Sequence, residues 1–243
     1  MRIYCINLKH RKDRKQHSLE QFTKMGILHD NVVYPHFTKD KRGGVYGCFD
    51  SHMKIWNDFY TIYPNDKYCL VFEDDFVAPS NGKYIIEKAT KFLDKNYDVD
   101  ILFLHCTCIK VKNKANNNRF TNGYGFNTHA YLITRRYIQS IISNYGKLPE
   151  PNGRHLDNEI MMNSIDTDNI IYSKKIFFTN DECFTQLIDK SDNYMNEFDE
   201  LFRTDMQNTQ KNIMNFLTLT KKLKLLNNEK IKKIVHIITN IIT

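Results

Sequence analysis

Three adjacent acids, Glu73, Asp74 and Asp75, directly follow the apolar run Tyr68 to Phe72. Folding alone would avoid this arrangement, because like charges at the end of a buried strand repel one another. A divalent cation removes that repulsion, and hard ions such as Mg²⁺ and Mn²⁺ take ligands from protein carboxylates and substrate phosphates together. The triplet therefore predicts a cation site, and a solvated turn is the alternative.

Two further segments carry groups that bind anionic or polar ligands. The segment Asn7 to Arg14 is rich in cations and lies where a first strand meets a first helix, so its side chains and backbone N–H groups could meet phosphate. A solvated charged face is the alternative there. Ser51 and His52 lie on a second predicted helix and could contact a ligand, although a lone histidine is more often a hydrogen-bonded structural residue.

A fourth polar segment, His155 to Glu159, follows the turn-forming stretch Pro149 to Gly153. It is predicted at the start of a helix. A hydroxyl that attacks an electrophilic carbon needs a base to remove its proton, and the carboxylate of Asp157 could serve. Helix capping by Asp157 is the alternative.

The elements that must position these residues alternate between strands and helices. Hydrophobic spacing predicts strands at Arg2–Leu8, Tyr68–Phe72, Ile101–His105 and Ala130–Thr134, and helices at Lys12–Met25, Val45–Tyr60, Tyr84–Leu93 and Arg136–Ser143. This alternation predicts an α/β fold with a mostly parallel central sheet flanked by helices, in which ligands bind beyond the carboxyl ends of the strands. The stretch Lys112 to Gly125 is rich in Asn and Gly and is predicted to be a mobile loop.

Charge is concentrated at the two ends of the chain. The net charge is +7; Met1 to Arg42 carries ten Lys or Arg against four acids, and Lys211 to Thr243 carries seven Lys against one acid. Basic ends suit a diphosphate or a membrane surface. No nucleic-acid partner is expected, because no zinc-finger, basic-zipper or RNA-binding signature accompanies the lysines.

The pattern after Asp192 is helical only, which predicts one α/β domain over residues 1–192 and a helical C-terminal extension over residues 193–243. The extension combines an apolar stripe with many lysines. That pattern leaves three roles open: packing on the domain, an oligomer contact, and peripheral contact with an anionic membrane.

A cytoplasmic location is expected. The chain turns charged after eight residues, unlike a secretory signal, and no run reaches the ~18 apolar residues of a membrane span. Six scattered cysteines without the spacing of a structural zinc site also suit a reducing compartment.

Taken in order, these elements resemble glycosyltransferase family 25, which includes bacterial lipooligosaccharide galactosyltransferases and procollagen galactosyltransferases. The resemblance rests on three segments: INLKHRKDR at Ile6–Arg14, GCFDSHMKIW at Gly47–Trp56 and LVFEDDF at Leu70–Phe76. Weaker echoes lie at Gly125–Arg136, Asp157, Gln186 and Ser191–Asp192.

The resemblance implies a GT-A fold, a nucleotide-sugar donor, Mn²⁺ or Mg²⁺, and inversion at the anomeric carbon. UDP-galactose is the usual donor in the family, with UDP-glucose and UDP-N-acetylglucosamine as alternatives, and the acceptor is a hydroxyl of a glycan or of a hydroxylysine-type protein. By resemblance Asp75 and Glu73 are metal ligands and Asp157 is the catalytic base. Donor binding falls to Asn7, Arg11, Arg14, Ser51, His52, Glu73 and Asp74.

Two other classes of function compete with an enzyme. One is a sugar-nucleotide-binding protein that keeps the fold without turnover, against which the intact Asp75 counts. The other is a basic scaffold that binds nucleic acid through the two charged ends, with an affinity that would fall steeply with salt.

Overall fold

A computed structural model describes residues 1–104, 107–111, 120–126, 128–143, 156, 176–179 and 184–186, with the backbone alone at 107–111, 121–126, 176–179 and 185–186. These residues belong to one compact unit that spans residues 1–187. The predicted helical extension, and its boundary at residue 192, lie outside the described residues and stay predictions.

The described chain forms ten strands and four α-helices. The strands are β1 (Arg2–Ile6), β2 (Val32–Val33), β3 (Tyr68–Glu73), β4 (Phe76–Val77), β5 (Ile101–Phe103), β6 (Thr107–Val111), β7 (Phe120–Phe126), β8 (Ala130–Thr134), β9 (Ile176–Thr179) and β10 (Thr185–Gln186). The helices are α1 (Lys12–Lys24), α2 (Gly44–Ile62), α3 (Gly82–Lys95) and α4 (Arg135–Ile142).

Eight strands form one mixed sheet in the order β2-β1-β3-β8-β5-β9-β7-β6. β1 is parallel to β2 and β3, and β5 is parallel to β9. β8 runs antiparallel to β3 and β5, and β7 runs antiparallel to β9 and β6. Six strands of the sheet therefore point one way, and only β7 and β8 oppose them. β4 and β10 form a separate antiparallel pair.

Both faces of the sheet are covered, as the apolar strands require. Successive residues of a strand point to opposite faces, so in β3 the side chains of Cys69 and Val71 join one core cluster while those of Leu70 and Phe72 join the other. The first cluster contains the apolar sides of α2 and α4, and the second contains those of α1 and α3. The predicted α/β class, with helices flanking a sheet of mainly one strand direction, is confirmed.

The prediction of a loop at Lys112–Gly125 is wrong for its second part. Residues 120–125 belong to β7, which pairs with both β6 and β9. Asn and Gly disfavour strands only weakly, and backbone hydrogen bonds to a neighbour on each side outweigh that local preference. The remainder of the predicted loop, residues 112–119, lies outside the described residues.

Four phenylalanines pack together beside the end of β3. The ring centroids of Phe72 and Phe76 are 4.4 Å apart, those of Phe22 and Phe76 are 5.0 Å apart, and Phe184 lies 5.5 Å from Phe72. All four side chains are fully buried. Phe72 and Phe76 flank the three acids in sequence, so this cluster holds both ends of the acidic turn against the core.

Within the described residues, no helix combines the length and the hydrophobicity that crossing a membrane requires.

Truncating the aromatic cluster is expected to destabilise the fold. Phe76→Ala removes a fully buried ring that contacts three others, and Phe-to-Ala changes in cores cost about 3–5 kcal/mol. Urea denaturation followed by circular dichroism measures the free energy of unfolding. The matched control is Tyr97→Ala, because Tyr97 is 87% exposed and surface changes stay within about 0.5 kcal/mol. Equal losses in the two variants would contradict the packing described for Phe76.

Candidate functional site

The three acids lie where the central strand ends. β3 ends at Glu73, and Asp74 and Asp75 form the turn that leads to β4. β1 lies beside β3 in parallel, with Ile6 opposite Glu73. The residue that follows β1, Asn7, therefore emerges next to the acidic turn.

Asn7 joins the basic loop to the acids. Its side-chain Nδ2 donates to Asp74 Oδ2 at 2.6 Å and to the carbonyl oxygen of Arg11 at 3.0 Å. The side chain is buried, with 7% exposed. One amide thus fixes the course of the loop and the position of one carboxylate.

The two arginines of the loop have different surroundings. Arg14, in the first turn of α1, places Nη1 3.8 Å from Asp75 Oδ2, and both side chains are mostly buried. Arg11 instead forms a bidentate pair with Asp13, at 3.0 Å from Nε to Oδ1 and 2.8 Å from Nη2 to Oδ2. Arg14 thus contacts the acidic triplet directly, and the charge of Arg11 also acts on the triplet, since it opposes the rise in the pKa of Asp74.

Glu73 is held from the other side by α2 and β8. The His52 Nε2 atom lies 3.2 Å from Glu73 Oε1, and the hydroxyl of Thr128 donates to the same oxygen. On its far side, His52 Nδ1 lies 2.7 Å from the hydroxyl oxygen of Tyr131, which also accepts a hydrogen bond from Trp56 Nε1 at 3.0 Å. His52 and Tyr131 have no exposed surface.

The pKa values of the acids diverge. Burial by itself would raise the pKa of Glu73, but the hydrogen bonds from His52 and Thr128 and the electrostatic effect of the His52 and His129 rings outweigh it and lower the pKa to about 2. Burial raises the pKa of Asp74, and the negative charge of Glu73 adds to that effect. The hydrogen bond from Asn7 and the charges of Arg14 and Arg11 oppose it. Glu73 is thus ionised at neutral pH, whereas burial and the charge of Glu73 make ionisation of Asp74 less favourable.

Each acid of the triplet therefore has a different partner among the residues predicted from sequence: His52 for Glu73, Asn7 for Asp74 and Arg14 for Asp75. Ser51 has a local contact, because its hydroxyl donates to the carbonyl oxygen of Gly47 one turn earlier in α2, at 2.6 Å. The predicted base, Asp157, lies outside the described residues.

Sequence reasoning missed the contribution of Thr128 and Tyr131. Both fall in the weak echo Gly125–Arg136, whose expected form was a strand leading into a helix. The signal that could have identified them is the polar pair Thr128-His129 placed immediately before a wholly buried strand, β8. Because β8 is antiparallel to β3, its first residues meet the last residue of β3, and the backbone N–H of Glu73 donates to the carbonyl oxygen of His129 at 3.0 Å.

Two sets of side chains at this site have the chemistry of cation ligands, and among the described residues only the second brings its ligand atoms close together. The carboxylates of Glu73, Asp74 and Asp75 are an all-oxygen set of the kind that Mg²⁺ and Mn²⁺ prefer. Burial is the main cause of the raised pKa of Asp74 and the charge of Glu73 adds to it, so a nearby cation would favour the ionised form of Asp74. Cys48, His52 and Glu73 form a second, softer set, with one ligand atom from each within 4.8 Å of the others. Glu73 belongs to both.

Part of the chain is similar to a known family of proteins. Residues 42–161 match the model of glycosyltransferase family 25 (LPS biosynthesis protein). The matched range contains α2 with His52, the acidic triplet and β8. The chain is also 30% identical to a protein of Acanthamoeba polyphaga mimivirus, "Procollagen lysyl hydroxylase and glycosyltransferase", over 43% of this chain. The match spans only 15% of that relative's length.

Two solved structures are similar in fold. One is a glycosyltransferase involved in the glycosylation of the major capsid of PBCV-1, at 12% identity and a TM-score of 0.47, with 83% of this chain and 100% of that chain covered. The other is A197 from STIV, at 12% identity and a TM-score of 0.44, with 78% and 87% covered.

Acidification is expected to remove the contribution of Glu73 to stability. Folding lowers the pKa of the Glu73 carboxyl from an ordinary 4.5 to about 2. The ionised carboxyl therefore stabilises the folded state at pH values above 4.5, and this stabilisation is lost as the pH falls toward about 2. The free energy of unfolding of the wild type should exceed that of Glu73→Gln near neutral pH. The difference should narrow between about pH 5 and pH 2, measured by urea denaturation. A difference that stays constant over this range would contradict the lowered pKa.

Proposed function

We propose that this family 25-like glycosyltransferase is a metal-dependent, inverting enzyme that moves a hexose from a UDP-sugar to an acceptor hydroxyl. Galactose is the favoured sugar, with glucose and N-acetylglucosamine as the alternatives. The acceptor is a hydroxyl on a glycan or on a hydroxylysine-type protein. The family match supports the activity class, and the finer assignments depend on the chemistry of the site.

One observation carries the proposal. Three carboxylates at the end of a central strand are each held by a different side chain, and those side chains come from the loop after β1, from α1 and from α2. A merely structural acidic turn would face solvent, whereas these acids are mostly buried and lie beside an arginine. Such a site has the charges needed to hold a cation together with a diphosphate.

In the proposed reaction the protein's own groups divide the work between donor and acceptor. Asp75 and Glu73 hold the cation, which when bound neutralises the charge that builds up on the leaving diphosphate. Asn7, Arg11, Arg14, Ser51 and Asp74 bind and orient the donor. The expected direct contact of His52 with the donor is wrong, because His52 is fully buried and acts through Glu73. Arg14 is the best-placed cation for the diphosphate, because it already lies at the triplet.

Inversion needs a single base opposite the leaving group, and no second carboxylate has to act as an acid. Asp157 is assigned this role, with Glu159 and Asp181 as the alternatives. All three lie outside the described residues. Leu156, which precedes Asp157, is buried in the cluster that contains α2 and α4, so Asp157 follows a residue anchored in the same half of the core as His52.

The remaining partners are proposals from composition. The lysine-rich residues after 192 are assigned a contact with an anionic membrane surface or with a second subunit. No nucleic-acid partner is proposed.

The test is metal-dependent release of UDP. UDP-galactose, UDP-glucose and UDP-N-acetylglucosamine are each incubated with the protein, with Mn²⁺, with Mg²⁺ and with a chelator. We expect UDP release from one donor above the others, and its loss with the chelator. Binding of UDP without release from any donor would favour a sugar-nucleotide-binding protein. Salt-sensitive binding to nucleic acid that ignores UDP would favour a basic scaffold.

Replacing Asp75 is expected to abolish metal-dependent turnover while the protein stays folded. Asp75→Asn keeps the shape of the side chain but removes a charge that a cation needs, and metal-based charge stabilisation is worth several kcal/mol, which corresponds to roughly 10²-fold or more in rate. UDP release is measured against Mn²⁺ concentration. The matched control is Asp94→Asn, a half-exposed carboxylate paired with Lys67. Unchanged turnover at low Mn²⁺ would show that Asp75 is not a ligand.

Replacing Asp157 is expected to separate binding from chemistry. Asp157→Asn is nearly isosteric but cannot accept the acceptor's proton, so turnover should fall by roughly 10²-fold or more with little change in donor affinity. Steady-state kinetics with an acceptor and calorimetry with UDP measure the two quantities. Weaker UDP binding at unchanged turnover would make Asp157 a binding or capping residue and would move the base to Glu159 or Asp181.

A further inference from the structure

A chain of hydrogen bonds runs from the core to the acidic triplet. It begins at Trp56 Nε1, passes through the hydroxyl of Tyr131 and both ring nitrogens of His52, and ends at Glu73 Oε1, with successive separations of 3.0, 2.7 and 3.2 Å. Trp56, Tyr131 and His52 have no exposed surface. Such a buried polar chain is stable only when every member has a partner of the right kind.

The indole of Trp56, at one end of this series of hydrogen bonds, determines the direction of the others. The indole N–H of Trp56 can only donate, so Tyr131 accepts there. The one hydrogen of the Tyr131 hydroxyl is then left to donate, and His52 Nδ1 is its other partner among the described residues, so Nδ1 accepts and carries no hydrogen. The ring hydrogen then lies on Nε2, which faces Glu73 Oε1. In this arrangement each donor has an acceptor.

The surroundings of Tyr131 agree with a donating hydroxyl. Burial raises the pKa of Tyr131 well above its ordinary value, so the hydroxyl keeps its hydrogen at neutral pH. The reverse arrangement, with a hydrogen on Nδ1, would make Tyr131 accept from both Trp56 and His52. It would leave the hydroxyl hydrogen without an acceptor among the described residues.

We propose that Tyr131 is a positioning residue: its hydroxyl donates to His52 Nδ1, holds His52 in the tautomer with hydrogen on Nε2, and so fixes the carboxylate of Glu73. Oε1 of Glu73 receives two hydrogen bonds, from His52 and Thr128. Among the described residues, none donates to Oε2. The chain therefore orients Glu73 so that one oxygen serves the fold and the other serves a ligand.

The hydrogen-bond directions also concern the softer set of cation ligands. Cys48, His52 and Glu73 can act together only if a ring nitrogen of His52 offers a lone pair to the cation, and metal-bound histidines donate their other N–H to an outer partner. With hydrogen on Nε2 and Tyr131 donating to Nδ1, the ligand-free protein offers no nitrogen of His52 to a cation.

The tautomer is measured in the ligand-free protein, so this part of the test does not depend on transferase activity. Protein with ¹⁵N-labelled histidine is studied at neutral pH by long-range ¹H–¹⁵N correlation, and the His52 signals are assigned by their loss in His52→Gln. We expect a protonated Nε2 and an unprotonated, hydrogen-bonded Nδ1. In Tyr131→Phe the Nδ1 signal should shift to that of a nitrogen without a hydrogen bond.

The positioning role is measured by Mn²⁺ affinity, and this part rests on the proposed function. Partners that orient a metal ligand typically account for about 10–100-fold in affinity, so Tyr131→Phe should weaken Mn²⁺ binding in the presence of UDP by about tenfold. The matched control is Tyr137→Phe, a buried tyrosine of the same core cluster whose hydroxyl has no hydrogen-bond partner among the described residues. It should leave both the Nδ1 signal and the Mn²⁺ affinity unchanged.

Three outcomes would overturn the proposal. A hydrogen on His52 Nδ1 in the wild type would mean that His52 donates to Tyr131, opposite to the proposed direction. This measurement needs only the wild type, so it remains valid even if Tyr131→Phe fails to fold. Folded Tyr131→Phe with unchanged Mn²⁺ affinity would make the hydroxyl structural only. Co²⁺ or Zn²⁺ binding that is lost in both Cys48→Ser and His52→Gln would assign His52 to the softer cation set. If the wild type binds no Mn²⁺ but shows the expected tautomer, the proposed metal dependence fails while the chain of hydrogen bonds stands.

Discussion

The repulsion among three adjacent carboxylates is the constraint on which the site depends. An apolar strand buried on both faces carries Glu73 to its end, and Asp74 and Asp75 follow in a turn closed on the core by Phe76. Ionised groups that are taken out of water need partners or a changed pKa. The protein uses both solutions, since all three acids have partners and Asp74 also has a raised pKa.

The partners come from separate parts of the chain, and the order of strands brings them together. β3 lies between β1 and β8. Because β1 is parallel to β3, the loop after β1 reaches the acidic turn and supplies Asn7 and, one turn into α1, Arg14. Because β8 is antiparallel, the residues before it reach the same edge and supply Thr128. α2 crosses one face of the sheet and contributes His52.

The arrangement separates groups that hold the site from groups that remain for a ligand. Amide, hydroxyl and imidazole donors satisfy part of the oxygen atoms of Glu73 and Asp74, and a guanidinium lies at Asp75. If protein cations neutralised all three carboxylates, a bound cation would find no negative charge there. If no group compensated them, burying the carboxylates would cost too much free energy. The partial compensation seen here is compatible with the proposed binding of a cation and a diphosphate.

The sequence alone was sufficient for the parts of the protein that depend on local pattern. Hydrophobic spacing located four strands and all four described helices to within a few residues. The acidic triplet at the end of a buried strand indicated the candidate site, with a solvated turn as the alternative. The sequence also identified Asn7, Arg14 and His52, each of which proved to contact one acid.

Only the tertiary structure decided strand direction and the connections that follow from it. A fully buried strand reads as the same apolar run whether it is parallel or antiparallel, so the orientation of β8 was invisible in the sequence, and with it the meeting of Thr128 and Tyr131 with Glu73 and His52. The strands β6, β7 and β9 were also missed, because their pairing depends on backbone hydrogen bonds to distant segments and only weakly on residue type.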